Sequence, residues 1–495
     1  MNGDGIAYHE GFSLSLKIER KVGALNFVDR CIVFVVALRI IGGMIHAFAP
    51  MTPPHMWRQG TTLGVAARYW LRLTVEKSPP PFWLPAVLES GDTQGVMPME
   101  FPLLGWLGSI GFSAGPYWGV VCAHLIHLIF VFALIMVNFR IWKGIYWGPV
   151  AARRVIVFAP FFSFAGFFAI KFMPDVSAFL IVLWGLGLLA HDVGPTCRAI
   201  IRYKIDFAAF FLISVGLLVK PTAAPVLVVI LLDRKNIVRS VKRAAIPVIL
   251  ALSVSAIYYT KGMILIDHFR EREALFATNI RPPIESLINF FSDLPRLFNM
   301  LNDNVLFPYG GIVAAVILVM ARRSSFRRNI AFLVGLIFLQ LIAIAGLDGV
   351  HAFQHIYYFA SLAPIAAAIW ISVGDNLPNN FMKVFWAGLL LVRSIEIFGF
   401  DIQGHWRSDS PAMMFQECRA IVREHPDIPF GHGEVFQSYA EDYPLLGLCF
   451  LEREESKVAH YGIFFTKGRA IPEGCHEMIK GKYVIVAECS KNHVE

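Results

Sequence analysis

Long apolar runs separated by short polar punctuation dominate the chain, and their lengths predict helices that cross a membrane. The runs fall near 27–49, 115–140, 154–171, 176–191, 207–219 and 221–233. A seventh ends near Thr260, and the last four lie near 306–321, 330–346, 357–373 and 383–399. About eleven spans are therefore expected. None reads as the alternating ten-residue strands of an outer-membrane barrel. Tight turns are expected at Phe172-Met173-Pro174-Asp175 and at Lys220-Pro221-Thr222. From about Asp401 onward the pattern turns polar. Pro411 to His425 reads as a helix and Lys482 to Glu488 as a strand, which predicts a small α/β appendage.

Basic residues sit between the runs in five clusters: Lys17, Arg20 and Lys21; Arg140, Lys143, Arg153 and Arg154; Arg198, Arg202 and Lys204; Arg234, Lys235, Arg239, Lys242 and Arg243; and Arg322, Arg323, Arg327 and Arg328. Such clusters mark cytoplasmic loops. Residues 1–26 are then a cytoplasmic segment, 27–400 a membrane domain with an outside first loop at 50–115, and 401–495 an outside appendage. This topology gathers the first loop, Asp175, Lys220 and the stretch from Asp348 to Tyr358 on one face. The first run lacks a convincing small-residue cleavage site and reads as a retained signal anchor.

Composition agrees with that picture. Of 495 residues, 56% are hydrophobic and 16% charged, and a mean hydropathy of +0.58 lies outside the soluble range. The net charge of +8 is a topology signal in this setting, so nucleic acid is not an expected partner. Cys418, Cys449, Cys475 and Cys489 lie in the appendage without CxxC spacing. Zinc is not expected there; one or two disulfides are, with three full pairings open. Cys31, Cys122 and Cys197 read as packing residues or free thiols.

Candidate chemistry concentrates between the first two runs. Trp57, Arg58 and Gln59, within HMWRQ, place an aromatic face, a planar cation and an amide in one turn. Leu63, Ala67, Trp70 and Leu71 share one helical face, so Thr61 to Leu73 is expected to lie as an interfacial helix, a possible lid, ended by Pro79, Pro80 and Pro81. Glu100 sits in the stiff frame MPMEFP, where flanking prolines restrict the backbone and hold a carboxylate fit to act as a base or bind a metal. Asp175 begins a span, where a helix dipole also favours an acid. Lys220 offers a point charge to a phosphate. His355, Tyr357 and Tyr358 offer donors and rings at another span start. Interfacial anchoring is the alternative role for each of these residues.

In order along the chain, HMWRQ, ARYW, EFPL, MPD, KPT, and HIYY before SLAP resemble the motifs of the GT-C class of polyprenyl-phosphate-sugar-dependent glycosyltransferases. The likeness is nearest to bacterial relatives of protein O-mannosyltransferases and to the lipid A aminoarabinose transferase, and it covers about 25–400. It implies sugar transfer, with inversion, from a polyprenyl-phosphate donor to a glycan, lipid or protein acceptor at the periplasmic face of a bacterial inner membrane. Asp175 and Glu100 would be the catalytic acids. Arg58, Gln59, Lys220, His355, Tyr357, Tyr358 and Trp57 would bind donor phosphate or substrate. The chain departs from the pattern in one place: Arg58, Gln59 and Gly60 stand where well-studied members carry an acidic pair. That leaves open which carboxylate is the base and whether a divalent metal takes part. A transporter or flippase, expected to show inverted repeats or broken helices, and a noncatalytic assembly partner are the other readings.

Overall fold

The computed structural model describes residues 27–48, 56–74, 100–114, 116–147, 150–161, 168–190, 199–232, 237–268, 283–300, 324–348, 356–376 and 379–396. Toward the C-terminus it describes part of 417–425 and 460–490. Four helices among these are long and apolar enough to cross a membrane, within Asp29–Ala47, Trp118–Ile141, Ile237–Lys261 and Arg328–Gly346. Shorter apolar helices pack among them. The protein is a multi-pass membrane protein, as the run lengths require. The expected span at 306–321 lies outside the described residues.

In chain order the helices are α1 (Phe27–Ala47), α2 (Met56–Thr74), α3 (Leu103–Phe112), α4 (Pro116–Ile141) and α5 (Ala152–Phe158). They continue with α6 (Pro174–Ala190), α7 (Ala199–Val219), α8 (Ile237–His268), α9 (Pro283–Ser292), α10 (Leu294–Met300), α11 (Ser324–Asp348), α12 (Ala363–Asn376) and α13 (Asn379–Glu396). A two-residue ladder, β1 (Tyr146–Trp147) with β2 (Val150–Ala151), closes the turn after α4.

The central pillar is α6. Of its 17 residues 14 are buried, the signature of a helix apolar on all sides and enclosed by others. It crosses α7 at very short range through two glycines. A Cβ on Gly185 would lie 2.7 Å from Ile213 Cγ1, and one on Gly216 would lie 2.6 Å from Val182 Cγ2. Small residues at a crossing let backbones approach where lipid supplies no hydrophobic drive. Exposed Ile246, Ile249, Leu250 and Ile257 on α8 form the opposite kind of face, one suited to hydrocarbon.

The run expected at 221–233 is not an α-helix. Pro221–Leu232 winds as a twelve-residue 3-10 helix, and the reason is legible in its burial. Ala223, Val226, Val229 and Leu232 are all buried, a spacing of three that matches three residues per turn. Besides the three residues Ala159–Phe161 after α5, a second 3-10 segment, Ile356–Leu362, precedes α12. Gln340 of α11, fully buried, joins the two: its Nε2 donates to Pro225 O at 3.0 Å and to Ser361 O at 3.1 Å.

Beyond the membrane helices, β3 (His460–Thr466), β4 (His476–Lys480) and β5 (Val484–Ser490) form an antiparallel sheet in the order β3-β5-β4. The expected strand at 482–488 is thus β5, shifted by two residues. Helical positions at Glu417, Ala420, Ile421 and Glu424 fall in the expected Pro411 to His425 helix. The Glu417 carboxylate accepts the Lys482 backbone N–H, which ties that segment to the sheet. Cys475 is disulfide-bonded, while Cys31 and Cys122 are free thiols.

Candidate active site

Glu100 and Lys220 lie 120 positions apart in the chain and meet in the fold. Lys220 Nζ stands 2.5 Å from Glu100 Oε1, with side chains 3% and 5% exposed. Each end of the pair is fixed by backbone. The Phe101 N–H donates to Leu218 O at 2.9 Å, laying the Glu100 segment along the end of α7. Lys220 itself donates its N–H to Gly216 O and accepts from Ala223 N–H, both at 3.0 Å, as α7 tightens into the 3-10 helix. Leu218 O accepts a second hydrogen bond, from the Tyr259 hydroxyl at 2.7 Å.

Aromatic rings enclose the pair. Lys220 Nζ lies 4.9 Å from the centroid of the Tyr358 ring, within cation–π range. The Phe101 ring packs edge-on against Trp106 at 4.9 Å and against Tyr258 at 6.3 Å, and Tyr69 of α2 reaches Trp106 at 6.4 Å. Tyr258 stands near both Tyr69 and Glu100. Contributions from α2, the start of α3, the end of α7, α8 and the second 3-10 segment therefore converge on one buried ion pair.

The other sequence candidates are distributed as follows. Asp175 is buried, at 4% exposure, in the first turn of α6. Gln59 is fully buried on α2. Trp57 and Arg58 fall in the first turn of the same helix, and Tyr357 falls in the second 3-10 segment; their side chains, like all of His355, lie outside what the structure describes. The helix expected at Thr61 to Leu73 is present within α2. It is packed against neighbouring helices, with Thr62 through Ala67 and Tyr69 buried. A Cβ on Gly105 would meet Val65 Cγ1 at 2.7 Å, and one on Gly108 would meet Ala66 Cβ at 2.9 Å.

The structure adds a second buried polar layer. Arg39 and His46 of α1, His124 and His127 of α4, and Lys171 just before α6 are all buried. The His46 and His124 rings are 6.1 Å apart. His124 donates from Nδ1 to Val120 O at 3.0 Å. Phe172 packs 5.6 Å from each of the His124 and His127 rings, and its Cζ would stand 2.5 Å from a Cβ on Gly108. Hence the turn that delivers Asp175 is wedged between α3 and α4. Ionisable residues inside apolar runs are the signal that marks this layer in sequence.

Among the described residues no three of His, Cys, Asp or Glu stand close enough together to hold a metal ion. The Glu100 carboxylate faces a lysine, so the residues described do not compose a metal centre. What they do compose is a buried carboxylate beside a buried cation, with phenolic groups around them. That set suits moving a proton and holding an anion.

No protein-family model matches the chain, and no curated protein matches it in sequence. Solved structures do match it in shape, and they place the membrane helices in the GT-C type of fold that the motifs resemble. The chain is similar to ArnT, the lipid A aminoarabinose transferase, from Cupriavidus metallidurans bound to undecaprenyl phosphate. The TM-score is 0.53 at 11% identity, over 94% of this chain and 98% of that one. The apo form of the same enzyme gives 0.52 at the same identity and coverage. An oligosaccharyltransferase of Archaeoglobus fulgidus gives 0.41 at 15% identity, covering 83% of this chain and 57% of that one, too loose a likeness to bear on the fold.

Proposed function

We propose that the protein is a membrane glycosyltransferase that moves a sugar from a polyprenyl-phosphate donor to a hydroxyl of an envelope glycan, lipid or protein, with inversion, at the periplasmic face of a bacterial inner membrane. The observation that carries this reading is the buried Glu100–Lys220 pair against Tyr358, in a fold shared with an enzyme solved with undecaprenyl phosphate. In the reaction the acceptor oxygen forms a bond to the anomeric carbon as the bond from that carbon to the phosphate oxygen breaks. The electron pair leaves with the polyprenyl phosphate, and the acceptor proton passes to a carboxylate. Glu100 and Asp175 are the carboxylates assigned to that proton and to orienting the acceptor. Lys220, with Arg58 and His355, is assigned to the phosphate, whose developing charge needs cations and little general acid. Gln59, Trp57, Tyr357 and Tyr358 are assigned to substrate binding. The N-terminus is assigned to the cytoplasm and residues 401–495 to the periplasm.

Mass analysis of envelope glycans, lipids and glycoproteins from a deletion strain tests the reading. The expected result is loss of one glycosyl increment from one class of conjugate, not restored by Glu100→Gln or Asp175→Asn. Unchanged conjugates in the deletion strain would refute glycosyl transfer.

A further inference from the structure

We infer that Glu100 occupies Lys220 in the absence of donor and surrenders it to the donor phosphate, so that phosphate binding itself turns Glu100 into a stronger base. This rests on the lipid-phosphate reading above and specifies how its site is switched on.

The geometry puts Glu100 and an incoming phosphate in competition for Lys220. At 2.5 Å the ammonium and carboxylate neutralise each other, and both are nearly sealed from water, where a charge without a counter-charge is costly. A phosphate entering beside Lys220 brings a second anion next to Glu100, and Lys220 is then shared between the two even where Arg58 and His355 also hold the phosphate. Whichever anion Lys220 keeps, the other becomes easier to protonate. A phosphodiester does not take up a proton near neutral pH, so Glu100 is the group whose proton affinity rises. Among the described residues, the titratable groups placed at the pair are Lys220 at the end of α7, Tyr258 on α8 near Glu100, and Tyr358 on the second 3-10 segment, whose ring faces Lys220. An ordinary phenol is neutral near pH 7, so Glu100 is the responsive member.

The order of events acquires a use. With no donor the carboxylate is held and weakly basic; with donor in place it accepts the acceptor proton at the moment the leaving phosphate is neutralised by Lys220. Binding of phosphate and ionisation of Glu100 thus oppose each other, and the opposition is reciprocal.

The test uses the full chain in phosphatidylcholine nanodiscs, with undecaprenyl methyl phosphate, a phosphodiester like the donor, as probe, titrated calorimetrically at pH 6 and pH 8 in two buffers of different ionisation enthalpy. Wild type is expected to take up protons on binding, beyond those taken up by Glu100→Gln. Glu100→Gln is expected to bind about 5- to 150-fold tighter than wild type at pH 8, the usual range of such coupling. Lys220→Met is expected to bind more weakly than wild type. A phosphodiester probe has no titration of its own near neutral pH, so proton uptake in wild type beyond that in Glu100→Gln reports Glu100. A folded Glu100→Gln that binds no tighter than wild type, with the same proton uptake, would overturn the exchange and leave the pair a structural strut. Should that variant fail to fold, Glu100→Gln combined with Lys220→Met restores neutrality and supplies the uptake reference. Wild-type uptake equal to that reference would be equally fatal. Absence of any binding by wild type would instead sink the lipid-phosphate reading, and the exchange with it.

Discussion

Adding one methyl group at Gly108 asks whether the turn that carries Asp175 is held by packing. An alanine Cβ there would stand 2.5 Å from Phe172 Cζ and 2.9 Å from Ala66 Cβ, well inside the roughly 3.5–4.0 Å at which carbon pairs attract. Phe172 cannot swing aside, because it is fully buried with His124 and His127 packed against its ring. Overpacking of this kind costs about 1–3 kcal/mol. Phe172→Leu removes the offending Cζ and on its own should cost less than the roughly 3–5 kcal/mol of a Phe→Ala truncation. The two changes share one space, so together they should be less harmful than their sum, with a coupling of about 0.5–3 kcal/mol. Denaturant unfolding of the four proteins in detergent measures the cycle. Strictly additive losses, or a neutral Gly108→Ala, would refute the wedge. Transfer activity should follow the same pattern, since Asp175 lies three residues beyond Phe172.

Removing one partner of the buried pair, as in Glu100→Ala, should destabilise by about 3–5 kcal/mol, while Glu100→Gln with Lys220→Met together should come close to wild type; unfolding of singles and double decides this. Asp175→Asn should lower transfer by about 10²–10⁴ if that carboxylate takes the proton, and full turnover by the variant would exclude it. Gln340→Leu removes both donors that join the 3-10 segments and should cost about 1–3 kcal/mol through the carbonyls left without them, with donor KM rising if the clamp positions Lys220 against Tyr358. Arg58→Lys keeps charge and loses the planar fork, so donor titration should show a weaker KM than charge alone implies.

Much of the membrane architecture could be read from the sequence because run length is a direct consequence of bilayer thickness. The runs at 27–49, 115–140 and 330–346 meet α1, α4 and α11 within a few residues at most ends. Helix starts were less legible: α7 begins at Ala199, eight residues before the apolar run, because Arg202, Lys204 and Asp206 continue the helix past its hydrophobic part, with Asp206 facing both Arg202 and Arg243. Hydropathy sees apolar length and is blind to a polar extension. It is equally blind to winding. Only the Ala223, Val226, Val229, Leu232 spacing distinguishes the 3-10 helix from an α-span, and Pro225 within it is the local hint. For the site, Glu100 and Lys220 were each visible as polar residues beside prolines, yet nothing in a single sequence says that positions 120 apart touch. His124 and His127 sit in a run read only for its hydrophobicity, and their burial beside Phe172 is a tertiary fact.

The tight winding of Pro221–Leu232 sets a measuring rod inside the protein. At about 2.0 Å per residue its twelve residues reach roughly 24 Å, where an α-helix at about 1.5 Å per residue would reach roughly 18 Å. Twelve residues wound this way are long enough to reach across most of a hydrocarbon layer about 30 Å thick, and Lys220 stands at the head of the rod. Depth of the ammonium is consequently a matter of residue count: one residue inserted or removed between Val226 and Leu232 moves it by about 2 Å. Such a step exceeds the tolerance of an ion pair 2.5 Å long, so the gauge of this segment, as much as the identity of the lysine, decides whether Glu100 is met at all.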